Sequence, residues 1–370
     1  MNKSSLYIGL MSGTSADGID LALVDFSTDK PQLVATYYQA YNDQIHQQIT
    51  ALYKPDINEI DRAYTLDVEL AKLFAQAIAQ LLKQENLSAS DIIAIGCHGQ
   101  TIRHRPKLKS PFTLQIGCCQ TLATLSGIDV VGDFRTKDMV LGGQGAPLVP
   151  AFHKILVANN KVDIIIVNIG GIANITYLPA DNSRSIIGFD TGPGNALMDD
   201  WYQHHHNDEK YDFQGNWAAQ GKVNTALLNA LMADPFFALE PPKSTGREYF
   251  NMDWLLNKTA SFSAPATDMQ ATLCALTAES IAADIKSLTD SGHVYICGGG
   301  LHNHSLQKLL NQKLNNFKVF DIKHLGVNGD SLEAMAFAWF AYAFDKKIIS
   351  NIPAVTGASK EAVLGVKYFP

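Results

Sequence analysis

Short apolar runs separated by glycine-containing turns dominate the start of the chain. Residues 6–10 and 19–24 are apolar enough to form the two strands of a hairpin, and residues 32–40 predict a third strand. Residues 58–83 carry apolar side chains at helical spacing, which predicts a long amphipathic helix. Residues 91–97 are almost wholly apolar, as is typical of a strand that is covered on both faces. This pattern indicates an α/β unit.

The second half of the chain repeats this plan. An apolar strand is predicted at 162–167, a glycine-containing turn at 168–174 and a returning strand at 175–178. Two such strand–turn–strand units, each opening a half of similar size, indicate an internal duplication. The glycine-rich passage LGGQGAPLVP lies where a linker would join the halves, so we expect domains at 1–140 and 141–370.

The remaining pattern predicts further strands and helices. Strands are predicted at 114–116, 128–131, 186–189 and 293–296, and helices at 215–235, 267–288 and 330–344. Three polar or glycine-containing stretches are predicted as loops, at 101–111, at 241–249 and at IPAVTGAS near the end of the chain.

Composition narrows the class of protein. With 370 residues, of which 46% are hydrophobic and 18% are charged, the chain can bury a large core and form two domains. The net charge is −7 and no cluster of Lys or Arg stands out, which argues against a nucleic-acid partner. No apolar run reaches the roughly 18 residues that a membrane span needs, and no targeting segment is evident. We therefore expect a cytoplasmic enzyme without membrane contact.

Two groups of potential metal ligands carry little signal. The five cysteines lie in or beside apolar segments without CxxC spacing, which favours reduced, buried thiols over disulfides or zinc ligands. His204, His205 and His206 could bind a metal, but they follow a predicted helix and precede polar residues. A solvated helix end is the favoured interpretation.

The tip of the first predicted hairpin is more polar than a turn requires. Within GLMSGTSADGID, Asp17 and Gly18 alone would close a tight turn. The stretch also contains hydroxyl groups, a further glycine and a second carboxylate, in Ser12, Gly13, Thr14, Ser15 and Asp20. Backbone N–H groups, hydroxyls and carboxylates together suit a polyphosphate with its Mg²⁺. A long polar loop without a ligand is the alternative, and the local sequence leaves both open.

Polar residues also follow two predicted strands of the first half. His98 and Gln100 come directly after 91–97, and Asp133 and Arg135 follow 128–131. Open α/β sheets bind ligands beyond the carboxyl ends of their strands, so these side chains could face a cleft. An ordinary strand-end turn and an Asp–Arg surface pair are the alternatives.

Three segments of the second half bring candidate chemistry. Asp190 precedes a Gly-Pro-Gly turn into a helical pattern, which would place a carboxylate that could act as a base beside free helical N–H groups. The segment GGGLHN, which begins at Gly298, would let a flat base or ribose approach the backbone. Glu333 has capping-box spacing to Asp330, so a structural role competes with a catalytic one.

The motifs together resemble a known family. In chain order they are GLMSGTSADGID, CHGQT, GDFR, VNIGGIANITYL, GFDTGPGN, ICGGGLHN, GDSLEAMAFAW and IPAVTGA. This series spans nearly the whole chain and closely resembles the anhydro-N-acetylmuramic acid kinases, members of the sugar-kinase, Hsp70 and actin superfamily. The resemblance implies an α/β fold of two duplicated ribonuclease-H-like domains, of the actin/hexokinase type, with ATP in the interdomain cleft.

The resemblance also implies how ATP and Mg²⁺ are bound. The first hairpin would be the phosphate-1 loop, the turn at 168–174 the phosphate-2 loop and the Gly298 region the adenosine loop, with Asp17 and Asp20 toward Mg²⁺. The residues expected to bind the cofactor are therefore Ser12, Gly13, Thr14, Ser15, Asp17, Gly18, Asp20, Asn168, Gly170, Gly171, Asn174, Gly298, Gly299 and Gly300.

The family acts on an amino sugar in peptidoglycan recycling. It cleaves the 1,6-anhydro bridge of anhydro-N-acetylmuramate and phosphorylates O6, giving N-acetylmuramate 6-phosphate. By resemblance Asp190 would be the base that activates water, Glu333 would hold the sugar near its anomeric centre, and His98, Gln100 and Arg135 would contact the sugar. Members of the family are typically dimers, so a homodimer is expected.

Rival functions remain open at this point. An ordinary hexose or N-acetylhexosamine kinase on the same fold would phosphorylate a free hydroxyl group. A nucleotide-dependent scaffold or regulator would hydrolyse ATP slowly, without response to any sugar. A binding protein without catalysis fits less well, because so many polar clusters follow predicted strands.

Overall fold

The computed structural model describes residues 5–28, 30–157, 160–181, 183–206 and 209–370. The strands are β1 (Leu6–Ser12), β2 (Gly18–Asp25), β3 (Gln32–Ala40), β4 (Ile92–Arg105), β5 (Phe112–Ile116), β6 (Val130–Gly132), β7 (Ile164–Ile169), β8 (Ile172–Leu178), β9 (Ile187–Pro193), β10 (Gly292–Cys297), β11 (Phe317–Asp321) and β12 (Val366–Tyr368). The helices are α1 (Asp43–Ala51), α2 (Glu59–Gln84), α3 (Cys119–Ser126), α4 (Thr136–Val140), α5 (Pro150–Leu156), α6 (Ala196–His205), α7 (Thr225–Met232), α8 (Met252–Thr259), α9 (Ala266–Leu288), α10 (His304–Lys313), α11 (Leu332–Lys346) and α12 (Pro353–Thr356).

The chain forms two compact units, and the division differs from the expected domains at 1–140 and 141–370. Unit 1 comprises Met1–Leu156 together with Gly326–Pro370, and unit 2 comprises Val157–Leu325. The expected linker LGGQGAPLVP lies inside unit 1, where the Asp138 carboxylate accepts a hydrogen bond from the Gly145 N–H at 2.9 Å. The chain returns to unit 1 because α11 packs on β1 and β4.

Unit 1 is built on a mixed sheet. In the described residues its strand order is β12-β6-β4-β1-β2-β3, with β5 paired to β4. The strands β1, β2 and β3 form an antiparallel meander, and β4 and β6 run parallel to β1. The strand β4 continues to Arg105, although a loop was predicted from residue 101, because β5 supplies an antiparallel partner for its second half.

The helix α11 lies directly on the backbone of two neighbouring strands. A Cβ atom at Gly9 of β1 would lie 1.7 Å from the carbonyl oxygen of Ala334, and one at Gly96 of β4 would lie 1.8 Å from that of Phe337. Only glycine permits so close an approach. Ten of the fifteen residues of this alanine-rich helix are buried, which explains why its sequence is apolar around most of its circumference.

Unit 2 repeats the central strand order of unit 1. Its sheet runs β11-β10-β7-β8-β9, with β7, β8 and β9 antiparallel and β10 and β11 parallel to β7. The same order and directions hold for β6-β4-β1-β2-β3 in unit 1. The predicted duplicated α/β fold is therefore confirmed. The buried helix α9 packs on β8 and β9 and forms much of the core of this unit.

Two predicted segments differ in local structure. Within 215–235, only Thr225–Met232 forms an α-helix, which begins where the Asn224 side chain accepts a hydrogen bond from the Leu227 N–H. In the predicted loop IPAVTGAS, Pro353–Thr356 forms a short helix. The Thr356 hydroxyl donates to Asp138, which ties this helix to unit 1.

The structure shows the state of the cysteines and the packing of the histidine run at 204–206. All five cysteines are free thiols. The rings of His205 and His206 pack against Trp201, Tyr202 and Trp217 at the end of α6. Among the described residues there is no cluster of three or more potential metal-ligating side chains. The helices described here are also too short or too polar to cross a membrane.

Candidate active site

The tip of the β1–β2 hairpin, residues 13–17, is held from behind by buried polar side chains. The Ser12 hydroxyl donates to Gln100 Oε1 at 2.6 Å, and Gln100 Nε2 donates to the Gly13 carbonyl at 3.0 Å. Ser12 is 1% exposed and Gln100 is fully buried. The side chains of Ser12 and Gln100 therefore expose no surface in this structure with which to contact a ligand as predicted. Both residues shape the tip instead.

The outer side of the tip is open to solvent. Thr14, Ser15 and Asp17 are exposed, whereas Ala16 is buried and anchors the turn. The Tyr53 hydroxyl donates to the Thr14 carbonyl at 2.8 Å and thus fixes the chain path. The exposed hydroxyls and the carboxylate are free to meet a ligand. The supporting tyrosine had no local sequence signal, because it comes from the distant segment after α1.

Carboxylates of unit 1 gather around Asp20, on the strand β2 that leaves the tip. Burial raises the pKa of Asp20 to about 6, and repulsion from Glu333, Asp330 and Asp17 adds to the rise. A cation would relieve this repulsion. Among the described residues, however, no group of three or more such side chains is placed to hold a metal ion.

Glu333 does not form the capping box that its spacing to Asp330 suggested. The helix α11 has Ser331 as its N-cap, without a capping hydrogen bond from a side chain. The Glu333 side chain reaches solvent, yet surrounding protein limits its hydration and raises its pKa, while Arg135 opposes that shift. With the capping role removed, a ligand-binding role for Glu333 is favoured.

His98 and Arg135 form one buried assembly. His98 Nε2 lies 3.1 Å from Arg135 Nε and 2.8 Å from Arg135 Nη2, and His98 Nδ1 lies 2.8 Å from the Gly99 carbonyl. Burial and the arginine charge lower the pKa of His98 to about 3, so the ring is neutral and its Nε2 accepts. His98, only 6% exposed, orients Arg135. Of the pair, the half-buried Arg135 is the one placed to meet a sugar.

In unit 2 three polar side chains lie side by side across the sheet. Asn168 of β7 pairs with Asn174 of β8, and Asn174 pairs with Asp190 of β9. Directly opposed residues share one face of a sheet, with Cβ atoms about 5 Å apart. The predicted turn at 168–174 is thus shorter, since Asn168 and Asn174 belong to strands and only Gly170 and Gly171 form the turn.

The Gly170–Gly171 turn accepts hydrogen bonds from the segment that follows β9. The Asn195 N–H donates to the Gly170 carbonyl at 2.7 Å, and the Gly194 and Ala196 N–H groups donate to Gly171. These donors were expected to be free at the start of α6. They instead fix the turn, so these three N–H groups are not free as predicted.

Asp190 lies within β9 and is held by the segment 243–245. Its Oδ2 accepts hydrogen bonds from the Ser244 hydroxyl and the Thr245 N–H, both at 3.0 Å. Burial raises the pKa of Asp190, and these two bonds oppose the rise. Among the described residues no donor reaches Oδ1. The carboxylate therefore keeps one oxygen available to accept a proton.

A cavity of about 620 Å³ lies beside the Gly298 region, within unit 2. Gly298 has a φ of +79°, and a Cβ atom there would lie 2.4 Å from Asn168 Oδ1. Gly299 is exposed and lines the cavity, whereas Gly300 is buried against Ile169 and takes a packing role. The cavity is large enough for a nucleoside. Its opposite wall, formed by residues 211–214, carried no sequence signal.

The chain matches proteins of known family along its whole length. A family model described as anhydro-N-acetylmuramic acid kinase matches residues 5–370. A protein of that name from Colwellia psychrerythraea is 56% identical, covering 98% of this chain and 97% of its own. One from Shewanella denitrificans is 49% identical, covering 100% of this chain and 99% of its own. A solved ROK family glucokinase from Streptomyces griseus, in complex with glucose and AMPPNP, shares 13% identity at a TM-score of 0.38, over 90% of this chain and 98% of its own. On the sequence matches, the chain belongs to the anhydro-N-acetylmuramic acid kinase family.

Proposed function

We propose that the protein is an ATP-dependent kinase that opens the 1,6-anhydro bridge of 1,6-anhydro-N-acetylmuramate and phosphorylates O6. The product is N-acetylmuramate 6-phosphate, and the reaction serves the recycling of peptidoglycan. The observation that carries the proposal is the Asp190 carboxylate, held through Oδ2 with Oδ1 left to accept a proton. Family membership supplies the class of substrate.

The substrate dictates the order of bond changes. An anhydro sugar has no free 6-hydroxyl group, so the C1–O6 bond must break before or during phosphoryl transfer. Asp190 Oδ1 takes a proton from water, the water oxygen bonds to C1, and O6 leaves C1 with the bonding electrons. O6 then attacks the γ-phosphorus of ATP, and ADP departs. General-base catalysis of this kind contributes about 10²- to 10⁴-fold to the rate.

The first hairpin of unit 1 would serve ATP and Mg²⁺ in this proposal. Gly13, Thr14, Ser15 and Gly18 would contact the phosphates, and Asp17 and Asp20 would hold Mg²⁺. In unit 2, the cavity beside Gly298, which Gly299 lines, would take the nucleoside. When bound, Mg²⁺ neutralises charge on the phosphates.

The sugar is held by charged groups of unit 1. Arg135 and Glu333 contact it directly, with Glu333 near the anomeric carbon. His98 orients Arg135, while Gln100 supports the hairpin tip. We also propose that the enzyme is cytoplasmic and forms a homodimer. Sedimentation equilibrium of the purified chain measures the oligomeric state directly.

Isotope labelling tests the reaction. The protein is incubated with Mg²⁺-ATP and anhydro-N-acetylmuramate in ¹⁸O-water, and the products are analysed by mass spectrometry. The expected product is phosphorylated, ring-opened and labelled at C1. Parallel incubations with glucose and N-acetylglucosamine test for an ordinary sugar kinase, and ATP turnover without any sugar tests for a nucleotide-dependent regulator. Absence of the labelled phosphosugar would overturn the proposal.

A further inference from the structure

The segment Lys243–Thr245 lies outside the helices and strands, yet it pairs with β9 at the proposed base. The Asp190 N–H donates to the Lys243 carbonyl at 3.0 Å. Two residues further on, the Thr245 N–H donates to Asp190 Oδ2, also at 3.0 Å, and the Ser244 hydroxyl donates to the same oxygen. This segment therefore contacts both the backbone and the carboxylate of Asp190.

The segment is fixed to the core of unit 2 by a buried lysine. The Lys243 side chain is 2% exposed, and its Nζ lies 3.0 Å from Asp284 Oδ1 on α9. The ammonium group also lies over the rings of Phe236 and Phe189. A buried ammonium must stay paired, because leaving it or its carboxylate alone in the interior is costly. The position of Lys243, and with it that of Ser244 and Thr245, is thus determined by α9.

We propose that Ser244 and Thr245 are positioning residues for Asp190, and that the Lys243–Asp284 pair holds them in place. A carboxylate that accepts no directional bonds can rotate about its terminal torsion. Two donors on Oδ2 stop that rotation and point Oδ1 toward the water that attacks C1. This inference rests on the proposed role of Asp190 as the base.

Ser244 allows a specific test, because its hydroxyl can be removed without changing charge or burial. Ser244 is exposed, so a methyl group can be added or an oxygen removed without repacking a core. In Ser244→Ala the charged form of Asp190 loses one hydrogen bond, so its pKa should rise by about one unit. Loss of orientation should lower kcat about tenfold, with KM for ATP unchanged.

The experiment combines titration with kinetics. Carboxyl ¹³C NMR follows Asp190 in the full chain without substrate, its signal being assigned by its loss in Asp190→Asn. The acidic limb of the kcat profile should move up in Ser244→Ala by the same amount as the titration. Ser244→Thr keeps the hydroxyl and should restore both. Ser27→Ala removes a hydroxyl donated to Asp25 at 2.8 Å, far from Asp190 in sequence, and serves as the matched control.

Two results would overturn the inference. Either the Asp190 titration in Ser244→Ala stays at the wild-type value, or Ser244→Thr behaves like Ser244→Ala. The titration needs no turnover, so it separates this inference from the proposed function. If wild-type protein made no phosphosugar, the proposed function would fail, while the NMR shift would still decide whether Ser244 controls the carboxylate.

Discussion

The β1–β2 hairpin of unit 1 and the β7–β8 hairpin of unit 2 occupy the same place in the strand order but differ at their tips. The first tip spans residues 13–17 and is supported by side chains from outside the hairpin, among them Gln100 and Tyr53. The second is the short Gly170–Gly171 turn, supported by backbone N–H groups that follow β9. One framework thus supports two unrelated loop geometries.

The chemistry beside the two tips differs as well. In unit 1, burial raises the pKa of Asp20 to about 6, and the charges of Glu333, Asp330 and Asp17 add to the rise. In unit 2, Asp190 lies opposite Asn174 and accepts hydrogen bonds from Ser244 and Thr245. The first environment suits a cation, and the second suits a single base. After duplication the strand order stayed constant, while the loop ends of each copy took separate tasks.

The largest effect is expected from removing the base of unit 2. Asp190→Asn should lower kcat by about 10²- to 10⁴-fold, because general-base catalysis is lost. ATP affinity, measured by calorimetry, should stay nearly unchanged, since unit 1 carries the proposed cation site. Asp181→Asn is the control, because this exposed carboxylate accepts hydrogen bonds from the N–H and hydroxyl of the nearby Ser183. Retention of more than about a tenth of kcat would remove Asp190 as the base.

The next effect concerns the buried ion pair that unit 2 uses to hold Asp190. Lys243→Met leaves Asp284 unpaired in the interior and should lower the free energy of unfolding by about 3–5 kcal/mol, measured in urea. The double variant Lys243→Met/Asp284→Leu should recover most of it. Arg62→Met, which breaks the exposed Arg62–Asp56 pair of unit 1, should cost at most about 1 kcal/mol. Equal losses in the two units would contradict this account.

In unit 1 the proposed cation site at Asp20 is tested by measuring the affinity for Mg²⁺-ATP. Asp20→Ala should weaken Mg²⁺-ATP binding roughly 10- to 100-fold in calorimetry, while binding of ATP with EDTA should change little. The raised pKa of Asp20, about 6, means that protonation below that pH removes its charge. Wild-type affinity for Mg²⁺-ATP should therefore fall as the pH drops through about 6, and Asp20→Asn should abolish that dependence. Unchanged affinity in Asp20→Ala, and likewise in Asp17→Ala, would defeat the phosphate-loop interpretation.

The smallest effect is expected from Glu333→Gln, which tests whether Glu333 serves catalysis or caps a helix. Glu333→Gln should lower kcat/KM for the sugar about tenfold, as loss of a charged hydrogen bond does. Its melting temperature should match the wild type, because the N-cap of α11 is Ser331 and, in the described part of the chain, its side chain makes no capping hydrogen bond. Asn328→Ala, which removes a side chain that accepts from the Asp330 N–H, should instead lower stability by about 1 kcal/mol and spare the kinetics. A melting temperature that falls in Glu333→Gln would restore the capping role.

The sequence predicted the framework well where the signal was local. The apolar run of β10 and the helical spacing of α9 were both recognisable, and so was the repeated strand–turn–strand unit. Such signals come from side chains within one helix or strand, so they can be recognised without knowing which other elements it packs against.

The parts that were missed depend on contacts between distant segments. Ser12 and Gln100 are buried as hydrogen-bond partners of each other, although they lie 88 positions apart in the sequence. The anchor Lys243 looked like one polar loop residue, because its partner Asp284 lies on another element. The return of the last segment to unit 1 depends on Gly9 and Gly96 accepting α11. No periodicity or composition within a single stretch encodes such pairings.

The position of α11 near the end of the sequence also affects when unit 1 can complete its folding during synthesis. All of unit 2 has been translated before the first residue of α11 exists. Until then β1 and β4 lack the helix that covers Gly9 and Gly96, and apolar strand surface of unit 1 stays uncovered on the ribosome. The first segment to be synthesised is therefore among the last to be completed.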